Sequence, residues 1–172
     1  RRAGHGDSRQ REVAEAERLM AAVAEAGGKI RVVLADDHPV VRNGLAAIVD
    51  QQADMEVVGE AGDGDEAIAL YQRFQPDVMV LDLRMPKRDG VAVVQQVMEV
   101  NPKARLLIMT TYDGDEDIFR CLSQGAKGYL LKDAPRQEIL SAIRAVSEDR
   151  SYTSSSIATK APQSSPITTS CR

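Results

Sequence analysis

IRVVLADD at residues 30–37 and VMVLD at residues 78–82 are branched, apolar runs that each stop on a carboxylate. Neither run alternates between apolar and polar residues, so a strand made from it must be covered on both faces, as in a parallel sheet. Similar runs recur along the chain, and helical periodicity fills the intervals between them. The strands are expected at Ile30–Ala35, Glu56–Gly59, Val78–Leu81, Arg105–Met109 and Gly128–Leu131. The helices are expected at about Val40–Asp50, Asp65–Phe74, Val91–Val100, Asp115–Gln124 and Gln137–Ser147. Pro76, Pro86, Gly90, Pro102, Gly125 and Pro135 punctuate the alternation. Repeated strand–helix units of this kind predict an α/β fold with a doubly wound, five-stranded parallel sheet of order 2-1-3-4-5.

The chain divides into three parts. Residues 29–150 form the predicted domain. Residues 1–28 form an N-terminal extension in which Val13, Ala16, Leu19, Met20 and Val23 recur at helical spacing before Gly27-Gly28. That helix reads either as a solvated extension or as a partner-binding segment. Residues 151–172 are about half Ser and Thr, with Ile157 and Ile167 as the large aliphatics, which predicts a disordered tail.

A hydrophobic content of 43% over 172 residues is enough for one ordinary core. The net charge of -4 lacks the basic footprint of a nucleic-acid binder. Apolar runs such as Leu106–Met109 are far too short to span a bilayer, so a soluble protein is expected. Cys121 and Cys171 show neither CxxC spacing nor a His cluster, which fits a reducing cytoplasm and no zinc site.

In open parallel sheets, ligands bind beyond the carboxyl ends of the strands. There the sequence places Asp36-Asp37 after the first strand, Asp82 after the third, Thr110 after the fourth and Lys132 after the fifth. With the first and third strands adjacent, three carboxylates converge, and such a cluster either raises its members' pKa values or holds a cation. An oxygen-only cluster favours Mg²⁺, which needs one or two carboxylates plus a phosphate oxygen at ~2.0–2.1 Å. One aspartate can then act as nucleophile and form an acyl phosphate, while Lys132 and Thr110 neutralise the phosphoryl oxygens.

Two other patterns compete with this reading. Gly62-Asp63-Gly64-Asp65-Glu66-Ala67 satisfies GxGxxA, but its acids would repel a pyrophosphate at the helix N-terminus. Asp113, Asp115 and Asp117 start like a calcium loop, yet Ile118 and Gln124 stand where Gly and Glu are needed. An aspartate-nucleophile phosphohydrolase is disfavoured because Arg84 occupies the second acid position after Asp82.

The segments VVLADDHPVVRNGL (32–45), VMVLDLRMPKRDG (78–90), LLIMTTYD (106–113) and KGYLLKD (127–133) resemble receiver domains of the NarL/FixJ response regulators, whose fold is flavodoxin-like. The resemblance covers residues 30 to about 148. It implies that Asp82 accepts phosphate from a sensor histidine kinase. By the same matching, Asp37 ligates Mg²⁺ directly, Asp36 does so through water, and the Arg84 backbone carbonyl joins them. Thr110 would bond the phosphoryl group, Lys132 would pair with it, and Tyr129 would be the switch aromatic. Arg84 and Tyr112 fall at positions that influence phosphate lifetime. His38 is not assigned as a ligand, and Cys121 reads as a packing residue. The implied protein is a cytoplasmic phosphoacceptor switch, not a turnover enzyme, with self-catalysed phosphorylation and dephosphorylation and dimerisation on phosphorylation. Relatives continue into a helix-turn-helix domain, whereas residues 151–172 show no recognition helix. Two readings follow: a stand-alone receiver without DNA contact, or a truncated transcriptional regulator.

Overall fold

The computed structural model describes residues 28–111 and 116–154. The N-terminal helix expected within residues 1–28, Tyr112, Asp113, Asp115 and the chain beyond Ser154 lie outside the described residues, apart from Gly28 itself. The elements run β1 Ile30–Ala35, α1 Pro39–Asp50, β2 Met55–Ala61, α2 Gly64–Phe74, β3 Val78–Asp82, α3 Gly90–Val100, β4 Leu106–Thr110, α4 Glu116–Ser123, β5 Gly128–Leu131, α5 Arg136–Ser147 and β6 Tyr152–Thr153. The strands form one parallel sheet in the order β2-β1-β3-β4-β5-β6, so the expected 2-1-3-4-5 core is present with one strand added.

Period-two geometry divides each apolar strand between two cores. Val33, Ala35, Met79, Leu81, Leu106 and Ile108 face the layer of α2, α3 and α4. Val32, Leu34, Val78, Val80, Leu107 and Met109 face α1 and α5. Each fully buried aliphatic side chain contributes about 1.5–3 kcal/mol by leaving water. Cys121 sits in the first of these cores, as a packing residue should.

Local chemistry sets the helix starts. Asp63 and Asp89 cap α2 and α3, accepting from the Glu66 and Ala92 backbone N–H groups at 2.9 and 2.8 Å. Each such cap contributes about 1 kcal/mol. The Glu66 carboxylate also accepts from Gly62 N–H at 2.8 Å. Carboxylates therefore already take N–H groups at the start of α2, where a pyrophosphate would need them, and the GxGxxA pattern is a capping arrangement.

Other element ends shift by one residue, and two boundaries differ by more, for identifiable reasons. β2 is longer, from Met55 to Ala61, because backbone pairing with β1 continues through Gly59 and Glu60 by way of an irregularity between Val32 and Val33. The expected tail boundary at Arg150 also shifts, since Tyr152–Thr153 pairs with Gly128–Tyr129 as β6. Tyr152 N–H donates to Lys127 O at 3.0 Å, and Ser154 Oγ donates to Glu138 at 2.7 Å. A Cβ on Gly128 would lie 2.7 Å from Tyr152 O, so glycine is what allows β6 to approach.

Candidate functional site

The site is assembled at the carboxyl edge of the sheet by strand register. Ala35 pairs with Leu81, which sets Asp36 beside Asp82, the last residue of β3. Asp82 pairs with Met109 and Thr110 with Leu131, which brings Thr110 and Lys132 to the same edge. Asp36 and Asp82 are each only 3% exposed, and Thr110 is 1% exposed. The Lys132 ammonium lies 2.6 Å from Asp36 Oδ2 and 2.8 Å from Asp82 Oδ2, a bridge between two buried acids. Lys132 N–H also donates to Thr110 O at 2.8 Å, tying the β5 exit to β4.

Burial pushes the Asp82 carboxyl above the usual carboxylate range, and the Lys132 ammonium only partly offsets it. Burial alone would lower the Lys132 pKa, but hydrogen bonds to Asp36 and Asp82 prevail and hold it above the ordinary lysine value. The ammonium thus remains charged between the two acids. Cys121 shows the opposite case, burial without a compensating cation, and its thiol is pushed up to about 12.

Asp36 is held on every side. Its Oδ1 accepts from His38 N–H at 2.8 Å and lies 3.1 Å from His38 Nδ1. Its main-chain carbonyl accepts from Arg42 at 2.6 Å, and its N–H donates to Ala61 O at 3.0 Å. Asp37 differs, with a partly exposed side chain whose buried Oδ1 accepts no hydrogen bond. That oxygen is 3.0 Å from His38 Nδ1, a close contact without hydrogen-bond geometry. Sequence reasoning set His38 aside and missed Arg42, because neither lies at a strand end, although both stand within the quoted DDHPVVR run.

The loop after β3 is fixed to the neighbouring helix. Arg84 N–H donates to Asp82 Oδ1 at 3.2 Å, so one acceptor oxygen is oriented by backbone and the other by Lys132. Lys87, at φ 65°, pairs with Asp63 at 2.7 Å, and Arg88 pairs with Asp65 at 2.5 Å. A Cβ on Gly90 would lie 2.6 Å from Asp82 O and 2.7 Å from Leu83 Cα, so this glycine lets the start of α3 press against the Asp82 backbone. Tyr129 is 1% exposed and enclosed in the α2–α4 core.

Asp36, Asp37, His38 and Asp82 each offer a ligand atom, all within 4.8 Å of one another. The Asp37 oxygen without a hydrogen bond, together with the oxygen-rich donor set, fits a hard divalent cation. A buried carboxylate flanked by an ammonium, a buried hydroxyl and such a cation site has the parts needed to receive a phosphoryl group.

The comparisons agree with this geometry. Residues 32–144 match the response regulator receiver domain family. The chain is 45% identical over 117 residues to the uncharacterized transcriptional regulatory protein YxjL of Bacillus subtilis, covering 68% of this chain and 54% of that protein. It is 44% identical over 124 residues to the oxygen regulatory protein NreC of Staphylococcus carnosus, covering 72% and 57%. The chain therefore spans about half the length of the curated relatives it matches. A LuxR-family response regulator from Aurantimonas superposes with TM-score 0.73 at 33% identity, over 77% of this chain and 94% of that one. The signal receiver domain of the putative response regulator NarL from Mycobacterium tuberculosis gives 0.69 at 39%, over 72% and 99%. No helix among the described residues is long and apolar enough to cross a membrane. Sheet order, the acidic edge and these matches together identify the chain as a member of the response regulator receiver family, a two-component receiver domain of the NarL/LuxR type.

Proposed function

We propose that Asp82 is the phosphoacceptor of this receiver, taking its phosphoryl group from a histidine kinase in the cytoplasm. The observation that carries the reading is the Lys132 ammonium shared by two buried carboxylates, at 2.6 Å from Asp36 and 2.8 Å from Asp82. An Asp82 oxygen attacks the phosphorus of a phosphoimidazole, the new P–O bond forms as the P–N bond breaks, and the released imidazole nitrogen takes a proton from solvent. Asp37 and Asp82 would hold Mg²⁺, with Asp36 beside them and the Arg84 carbonyl as a further oxygen. Bound Mg²⁺ supplies positive charge against the phosphoryl oxygens.

Lys132 can exchange a carboxylate for a phosphoryl oxygen, and the Thr110 hydroxyl can donate to another. Those contacts exist only in the phosphorylated protein, so they bias a two-state equilibrium. Tyr129, on the strand that leads to Lys132, carries the change towards α4 and α5. We read the chain as a switch without substrate turnover, whose phosphate comes from the kinase, with its own residues also able to take it from small donors and to release it, and whose output is altered partner affinity or self-association.

The test is intact-protein mass spectrometry after incubation with a small acyl phosphate. The expected result is Mg²⁺-dependent addition of one phosphoryl mass, lost in Asp82→Asn. Undiminished labelling of that variant at another residue refutes the assignment. For the switch, a beryllofluoride phosphate mimic should shift the nuclear magnetic resonance signals of Thr110, Tyr129 and α4. Unmoved signals with the Asp82 site occupied would remove the switch from the proposal.

A further inference from the structure

Register pairing of β1 ends at Ala35, and Asp36 N–H makes one further bond to the sheet, donating to Ala61 O at 3.0 Å. The next peptide group joins the Asp36 carbonyl to the Asp37 N–H, so its plane sets the direction in which the two carboxylates leave the main chain. A side chain holds that group where the strand ladder has stopped. Arg42 Nη1 donates to the Asp36 carbonyl at 2.6 Å, and Arg42 Nε donates to Glu60 Oε2 on β2 at 3.2 Å. The Arg42 backbone N–H donates to His38 O at 3.0 Å in the first turn of α1, and its side chain is only 19% exposed. The guanidinium thus braces the start of α1, the exit of β1 and the end of β2 against one another. Its planar fork fixes two donors in one geometry, which a lysine ammonium cannot do. The bond goes to the Asp36 main chain, so it orients the acids without occupying their oxygens.

We propose that Arg42 is a positioning residue for the cation site: braced by Glu60, it fixes the Asp36–Asp37 peptide so that the carboxylates face the Mg²⁺ position before the ion arrives. The inference rests on the Mg²⁺ part of the function proposed above and adds to it the residues that preorganise the acids. Outer groups that orient metal ligands are worth about 10–100-fold in affinity. Two simpler roles for Arg42 predict different results. A bare positive charge beside the acids repels Mg²⁺, so its removal would tighten binding. A contact that serves the fold alone would lower the melting temperature and leave the Mg²⁺ affinity of the folded protein unchanged.

The experiment titrates Mg²⁺ into the full chain by calorimetry, at a temperature where circular dichroism shows each variant folded. Arg42→Met keeps the apolar stem, removes fork and charge, and should weaken Mg²⁺ by about tenfold. Arg42→Lys keeps the charge and should still weaken it by at least about threefold. Glu60→Gln, on a partly exposed side chain, should cost about threefold alone and add almost nothing to Arg42→Met, because Glu60 acts through the guanidinium. At saturating Mg²⁺, phosphoryl labelling of the variants from a small acyl phosphate should return to within about twofold of the unsubstituted rate. Asp82 is oriented separately, by Arg84 N–H and Lys132. An Mg²⁺ affinity that is unchanged or tighter in Arg42→Met overturns the proposal, and so does a Glu60→Gln cost that is the same in both backgrounds. Should Arg42→Met fail to fold, unchanged affinity in both Arg42→Lys and Glu60→Gln overturns it. Labelling that fails in a protein whose Mg²⁺ affinity follows this pattern would count against Asp82 as acceptor and leave the role of Arg42 standing.

Discussion

Replacing Lys132 with methionine keeps the length of the side chain and removes its charge. The ammonium sits 2.6 Å from Asp36 and 2.8 Å from Asp82, and both acids are 3% exposed. At an effective dielectric of about 20, each contact is worth roughly 6 kcal/mol before desolvation is counted. Desolvating three ions cancels most of that gain, and removing one partner of a buried pair costs about 3–5 kcal/mol net. In Mg²⁺-free buffer, Lys132→Met should therefore lower the unfolding free energy by about 3 kcal/mol, or the melting temperature by roughly 10 °C. Burial already raises the Asp82 pKa, and removing Lys132 raises it further. A carboxyl whose folded pKa is raised contributes stability that is complete below its unfolded pKa and is lost as the pH rises through its folded pKa. The deficit of the variant should accordingly be small near pH 4.5 and grow towards pH 7.5, and millimolar Mg²⁺ should narrow it by binding the folded acids. Urea unfolding of both proteins at the two pH values, with and without Mg²⁺, measures this directly. A deficit that is the same at both pH values and insensitive to Mg²⁺ would show that Lys132 contributes packing and not charge.

The same linkage predicts that Asp82→Asn stabilises the Mg²⁺-free protein by about 1 kcal/mol at neutral pH, since a costly buried anion disappears while Lys132 keeps Asp36. That gain should fade as the pH falls through the raised Asp82 pKa and be gone below the ordinary carboxylate range, as read by thermal melts across pH. Gly90→Ala should cost about 1–3 kcal/mol and depress phosphoryl labelling, because the new methyl meets Asp82 O and Leu83 Cα. Gly44→Ala, in α1 with nothing within 4 Å of the new Cβ, should instead stabilise by up to about 1 kcal/mol in denaturant titrations. Cys121, buried and with its thiol pushed up to about 12, should resist a disulfide reagent at pH 8 until the protein is unfolded, measured in the Cys171→Ser background.

Apolar runs revealed β1, β3 and β4 because both faces of each are largely buried, and a buried parallel strand leaves a continuous hydrophobic signature, whereas the edge strand β2 is mostly half-buried and its run is weaker. The residues at their carboxyl ends were legible for the same reason, since a polar residue that ends such a run must face the sheet edge. What was not legible depended on backbone and on side-chain direction. β6 carries no large aliphatic residue, and it is held by main-chain bonds, by the packing of Tyr152 against the α5-side core and by the absence of a side chain at Gly128. Gly90 read as a helix breaker, yet its role is close approach to the Asp82 backbone, which no local pattern announces. His38 and Arg42 were visible as residues, but that both turn towards Asp36 follows from where α1 starts relative to β1. Tyr129 was legible as an aromatic on β5, and its complete burial came only with the packing of the α2–α4 layer.

The short β6 bears on how the domain is cut from any longer polypeptide. A fragment ending at Arg150, where composition suggests the border, would leave the outer edge of β5 without its partner and remove the Ser154–Glu138 hydrogen bond. An uncovered strand edge is a template for pairing with other molecules. Such a fragment would tend to self-associate whether or not Asp82 is modified, and that background would be mistaken for signal-dependent assembly. Expression boundaries set beyond Ser154 avoid the artefact.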